Sequence, residues 1–200
     1  MKDNARHRFL YQLVDILIRT MESRDPYLVN HQRMVSGLAR RLAQELKLSA
    51  QEVEGIRIAA QLHDIGKIAL PSELLSKLDK LHYEEFELIK THVKRGIEIL
   101  DGVDFPWPIL TMIGQHHERL DGSGYPHGLR GDEICLGARI LAIADLVNAV
   151  TRTRPYRMAM GIETMLSIFS EDGGVCYDAD IIAALNRLIE RKDEKFMEYL

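Results

Sequence analysis

The stretch His116-His117-Glu118-Arg119-Leu120-Asp121-Gly122-Ser123-Gly124-Tyr125-Pro126 sets two adjacent imidazoles at the end of an apolar helical run, then breaks into a loop carrying two glycines and a proline. Neighbouring residues on a helix point about 100° apart. Both histidines can therefore meet one ion only if that helix end is aimed into a site built by other segments. The rest of the chain has to supply that site.

The 200 residues, 46% hydrophobic and 28% charged, fit one globular domain and leave little room for a second independent core. The expected organisation is a leader helix over 1–24, able to link to an upstream domain, followed by one body over 25–200. No apolar run reaches the length of a membrane span, and residues 1–10 lack the apolar core of a signal peptide, so the expected setting is the cytoplasm. The formal charge of −4 argues against a nucleic-acid polymer as partner, but allows one small phosphorylated substrate held by local cations. Cys135 and Cys176 have no CxxC neighbour and read as buried or incidental thiols.

Apolar residues at helical spacing predict helices over 8–21 and 27–46, separated by Pro26. Ser49 and Glu52 form a capping box that opens a helix with Ile56, Ala59, Ala60 and His63 on its buried stripe, and Gly66 supplies the break after it. A single helix over 83–100 is expected to turn Phe86, Ile89, Val93 and Leu100 inward beside His92, with Gly96 leaving room for something bulky. Further helices are expected over 109–117, 140–150 (where Asp145 is the sole charge), 162–170 and 178–191. With no convincing period-two strand and no internal repeat, the fold reads as all-α.

One imidazole on an apolar face is ordinarily a satisfied core residue. Here His31, His63, His92, His116 and His117, with Asp64 and Asp145, come from five predicted helices, nearly all at inward positions. Uncompensated, they would be expensive in one small core, whereas gathering them around cations removes the penalty and supplies ligands. Seven ligand groups exceed what one ion with an open position uses, and Asp64, next to His63, is placed to bridge two. A pair of ions about 3.5–4 Å apart is the usual clamp for phosphoester hydrolysis. Mixed imidazole and carboxylate donors suit iron, manganese or zinc better than magnesium. The loop after His117 reads either as a plain glycine turn or as a ligand surface, where Gly122 and Gly124 admit close approach and Tyr125 can stack on a base. His7, His82 and His127 read as exposed.

His63-Asp64-Ile65-Gly66-Lys67 resembles the HD motif of the HD phosphohydrolase superfamily. His116-His117-Glu118 followed by Asp121-Gly122-Ser123-Gly124-Tyr125-Pro126 resembles the signature of its HD-GYP subfamily. Gly137 to Asp145 and Arg154-Pro155-Tyr156-Arg157 resemble its later blocks, so the likeness covers about residues 25–190. The resemblance implies a helical domain that hydrolyses cyclic dinucleotides, chiefly cyclic di-GMP, to pGpG and/or GMP by attack of a metal-bridging hydroxide. Its alternatives are another cyclic dinucleotide or a non-catalytic receptor role.

It further implies two divalent transition-metal ions, iron or manganese, one on His31, His63, Asp64 and Asp145 and the other on Asp64, His92, His116 and His117. Lys67 falls to the scissile phosphate and Arg154 and Arg157 to the substrate phosphates, with Asp64 and Lys67 in the catalytic role. A sensory, receiver or GGDEF-type unit is the implied partner. Two positions depart from the family pattern. Tyr27 stands where some members carry a glutamate for a third metal, so a binuclear site is expected. Asn148 stands where an aspartate is common, and is expected to perturb the surroundings of a ligand rather than remove one.

Overall fold

The first helix ends at Arg24, just before Pro26 as expected, and Pro26 opens the second as its first residue, a position where its missing N–H costs nothing. The computed structural model describes residues 2–24, 26–77, 79–152, 160–172 and 174–200. The elements are α1 (Lys2–Arg24), α2 (Pro26–Glu45), α3 (Ala50–Leu62), a 3-10 turn (Ile65–Ala69), α4 (Ser72–Leu75), α5 (Tyr83–Lys90), α6 (His92–Leu100), α7 (Ile109–Gln115), α8 (Leu136–Thr151), α9 (Gly161–Asp172), α10 (Ala179–Glu190) and α11 (Glu194–Met197). Among the described residues β structure is confined to isolated bridge residues, such as the pair Asp121 and Arg130, so the all-α expectation holds.

The amphipathic α2 is the central post. It packs on α3 and α8 along Val35, Leu38, Leu42 and Ala43, all fully buried. The most apolar helix, α8, buries Ile140, Leu141, Ile143, Ala144 and Val147 against it. Ser49 and Glu52 close the expected capping box and fix the start of α3. The leader α1 places Leu10, Val14 and Met21 in the same hydrophobic core. At the far end, Asp193 caps α11 and pairs with Arg41 of α2, seating Phe196 fully inside. Cys135 and Cys176 are half-buried and are not joined in a disulfide.

Two expectations change. The helix over 83–100 is divided at Thr91, whose hydroxyl donates to the Leu88 carbonyl at 2.6 Å while its backbone N–H bonds that same carbonyl. The break removes α5 from the register of α6. Val93 and Leu100 face the core as expected, but Phe86 is 43% exposed. Nor does Gly66 act as a positive-φ helix stop: it lies inside the 3-10 turn and is absent from the residues with positive φ.

Its smallness serves contact instead. A Cβ on Gly66 would sit 1.9 Å from the His92 carbonyl oxygen and 2.5 Å from the Gly96 nitrogen. What approaches Gly96 is the Gly66 backbone, with the Ile65 and Ile113 side chains beside it, and this joins the Asp64 turn to the start of α6.

This contact generates a prediction. Gly66→Ala must push two backbones apart and should cost about 1–3 kcal/mol, read as a lower urea midpoint. Gly96→Ala, whose added Cβ would meet the Gly66 nitrogen at 3.4 Å, should cost clearly less. Equal losses would mean that the close approach is not what Gly66 provides.

Candidate metal centre

The ends of α3 and α7, the start of α6 and the bodies of α2 and α8 deliver the site. His63 closes α3, Asp64 begins the following turn, His92 opens α6, His116 and His117 follow α7, and Asp145 lies within α8. His31 comes from α2. His31, His63, Asp64, His92 and His116 are buried, while His117 and Asp145 are partly so.

The seven residues fall into two sets around Asp64. His31 Nε2 lies 3.7 Å and His63 Nε2 3.4 Å from Asp64 Oδ2, and His31 Nε2 is also 3.2 Å from Asp145 Oδ1. On the other side, His92 Nε2 lies 3.4 Å from Asp64 Oδ1. His92, His116 and His117 offer donor atoms mutually within 4.8 Å, as do His31, His63 and Asp64. One carboxylate thus turns a different oxygen to each set. Lys67 Nζ donates to Asp64 Oδ2 at 2.6 Å.

Three of the imidazoles share one orientation rule. His63 Nδ1 donates to the Ala60 carbonyl at 2.7 Å, His92 Nδ1 to Ile89 at 2.8 Å and His116 Nδ1 to Ile113 at 2.7 Å, each three residues back. A proton committed to Nδ1 leaves the lone pair of the neutral ring on Nε2, aimed inward. His31 obeys the same rule through another helix: its Nδ1 donates to Asn148 Oδ1 at 2.6 Å. Asn148 therefore keeps the orienting acceptor that an aspartate would offer, without the charge and with an amide nitrogen in place of the second oxygen.

The Nε2 atoms of His63, His92 and His116 and Oδ1 of Asp64 are buried without a hydrogen-bond partner. Orphans of this kind, converging from separate helices, fit a cation and not an ordinary core.

Protonation follows the same logic. Burial holds His116 well below the usual imidazole range, helped by the neighbouring His117, His63 and His92; burial brings His117 down to about 3 and also lowers His92. Burial opposes charge on His63 too, but Asp64 and Asp145 outweigh it and raise that residue. Burial alone would raise Asp64, yet Lys67, His63 and His92 hold it well below the carboxylate range. Asp145 is kept low against burial by His31, His63 and His117. Neutral imidazoles beside ionised carboxylates are the forms that bind metal, and the lowered His92, His116 and His117 with the lowered Asp64 and Asp145 match them.

Tyr125 stacks on His117, with ring centroids 4.6 Å apart and planes at 26°. Its loop is held by a residue whose part the sequence reading left unassigned. Glu118, 2% exposed, accepts the backbone N–H groups of His127 at 2.7 Å and Leu129 at 3.1 Å. The available signal was a carboxylate placed between a ligand pair and a loop full of unpaired amides. Gly124 packs against this same backbone, where a Cβ would sit 2.4 Å from the Glu118 Cα. His82 and His127 are exposed, as expected. Arg154, Arg157 and the side chains of His7 and Tyr27 lie outside the described residues.

Two substitutions test these supports. Glu118→Gln replaces one of two acceptor oxygens by an amide and should release the loop over 121–131. Faster amide exchange there, with α2, α3 and α8 unaffected, is the expected pattern; unchanged exchange would remove Glu118 from this role. Asn148→Ala leaves His31 Nδ1 without its acceptor and should weaken metal affinity about 10–100-fold, measured by competition with a chelator. Unaltered affinity would show that His31 is oriented by other means.

Similarities to known proteins agree with this geometry. The profile of the family described as HD domain matches residues 15–181. Over 190 residues the chain is 33% identical to 3'3'-cGAMP-specific phosphodiesterase 3 of Vibrio cholerae, covering 95% of this chain and 41% of that protein. It is 37% identical over 184 residues to a cyclic di-GMP phosphodiesterase of Thermotoga maritima, covering 90% and 50%. The chain thus spans half or less of the length of these relatives. Its backbone is similar to that of Bd1817, a HDG"Y"P protein from Bdellovibrio bacteriovorus, with a TM-score of 0.68 and 25% identity over 83% of this chain and 53% of that one. With His63 and Asp64 inside the matched span, and the histidine pair and Gly-Tyr-Pro loop of the HD-GYP subfamily beside them, the chain belongs to the HD domain family.

Proposed function

We propose that this chain is the catalytic unit of a metal-dependent phosphodiesterase that opens a cyclic dinucleotide, with cyclic di-GMP as the first candidate and pGpG and/or GMP as products. The observation that carries the reading is the Asp64 carboxylate, with Oδ2 toward His31 and His63 and Oδ1 toward His92. Two ions, iron or manganese by donor type, would be held by His31, His63, Asp64 and Asp145 and by Asp64, His92, His116 and His117. When bound, such ions polarise a phosphoryl oxygen and lower the pKa of water to about 7.

The chain's own contributions are positional. Carbonyl-anchored imidazoles and Asn148 hold their donor atoms in place, so no reorganisation is needed when substrate arrives. Lys67, half-buried beside Asp64, brings a cation to the scissile phosphate, and Arg154 and Arg157 fall to the substrate phosphates. The dianionic substrate thereby finds local positive charge in a chain of net charge −4.

A second substrate, 3'3'-cGAMP, is favoured by the name of the Vibrio cholerae relative. The proposal also includes a cytoplasmic setting and a sensory, receiver or GGDEF-type unit reached through α1. Among the described residues no helix is long and apolar enough to cross a membrane.

The test is metal analysis of anaerobically prepared protein, joined to turnover of a cyclic-dinucleotide panel. Two metals per chain and hydrolysis of cyclic di-GMP are expected. Metal binding without turnover of any member would overturn the enzyme reading in favour of a receptor. Asp64→Ala should lose metal and activity together, whereas Lys67→Ala should keep its metal and lose about 10²-fold or more in kcat, as when an electrostatic donor is removed. Full activity in Asp64→Ala would exclude the shared carboxylate.

A further inference from the structure

We infer that Phe86, supported by Tyr125 and Lys90, is a stacking platform for a purine base beside the candidate metal centre. This deepens the proposed function and takes the substrate class from it.

A line of rings runs outward from the metal-binding set. His92 and His117 lie 5.1 Å apart between centroids, Tyr125 stacks on His117 at 4.6 Å, and Phe86 meets Tyr125 edge-on at 6.4 Å and 80°. Lys90 Nζ stands 5.0 Å from the Phe86 centroid and 5.4 Å from that of Tyr125, and it pairs with Glu87 at 2.6 Å. Tyr125, the base-stacking candidate of the sequence, is partly buried and gives one face to His117. Phe86 is the ring of this line that keeps a large exposed surface, 43%. Tyr83, 74% exposed, lies three residues before Phe86 on the same helix, and Leu81, 37% exposed, precedes that helix. An exposed apolar patch that abuts a polar site marks a ligand contact.

The occupant follows from position and charge. A phosphodiester seated on the imidazole and carboxylate donors carries a base on either side. The surface next to those donors here is aromatic, with an ammonium beside it to favour an anionic ligand. Every base has a π-face, so such a platform adds affinity without reading base identity. Phe86 should therefore serve guanine and adenine alike, and it lies on the helix that the Thr91 break rotates out of register.

The test compares wild type with Phe86→Ala and Phe86→Trp, each loaded with metal. Loss of one stacking contact should raise KM for both cyclic di-GMP and 3'3'-cGAMP about tenfold in Phe86→Ala, with the change in KM and not in kcat. Phe86→Trp should retain a KM near wild type. Its added fluorescence should be quenched saturably by cyclic di-GMP and by GMP but not by ribose 5-phosphate, with the constant signal of Trp107 taken from wild type.

Turnover with an unchanged KM in Phe86→Ala, or no saturable quenching by either nucleotide, overturns the platform. So does loss of a protein partner in Phe86→Ala with KM preserved, which would make the patch a docking surface. Saturable quenching in a chain that hydrolyses no cyclic dinucleotide would support the platform while overturning the proposed function.

Discussion

Burying the Asp64 carboxylate is the constraint around which this molecule is arranged. An ionised acid 1% exposed is tolerable only with charge or hydrogen-bond compensation on several sides. Lys67 supplies one side directly. The remaining directions are filled by imidazoles from α2, the end of α3 and the start of α6, so the acid dictates where three helices must meet. The Gly66 contact is the mechanical counterpart of that electrostatic demand, since the turn holding Asp64 can lie against the start of α6 only where Gly66 itself carries no side chain.

The parts of this arrangement that repeat with helical period were legible in the sequence. The stripes on α2, α3 and α8, the Ser49 capping box, and the inward placement of His31, His63 and His92 follow from spacing alone, because a period of 3.6 leaves little choice of face. What spacing does not encode is a local competition for a hydrogen bond. The Thr91 hydroxyl takes the Leu88 carbonyl, and a helix that reads as continuous becomes two, carrying Phe86 from the expected core to the surface. Gly66 was misread for a similar reason. Its neighbours in sequence suggest a helix stop, whereas its actual partner, the His92–Gly96 backbone, is distant in the chain.

The histidine pair shows the same division. Its place at the end of an apolar helix was readable, as was the glycine loop behind it. The means by which that loop is held was not, because Glu118 looks like part of a ligand motif and instead turns both carboxylate oxygens to the amides of His127 and Leu129. Its charge is spent on backbone. The loop is thereby fixed close enough for Tyr125 to lie against His117, which couples the outer surface to the inner donors through ring contacts and not through a charged relay.

The carbonyl three residues upstream that steadies His63, His92 and His116 has a consequence for engineering. Each of these side chains takes its aim from its own short peptide, independent of what surrounds it, so each is a self-contained cassette. Transplanting these three imidazoles into an unrelated helical scaffold would need three such peptides set at the right angles, with no distant supports to copy for them. His31 is the exception: its aim is borrowed from a different helix, and a designer would have to bring both halves of that pair or invent a new brace.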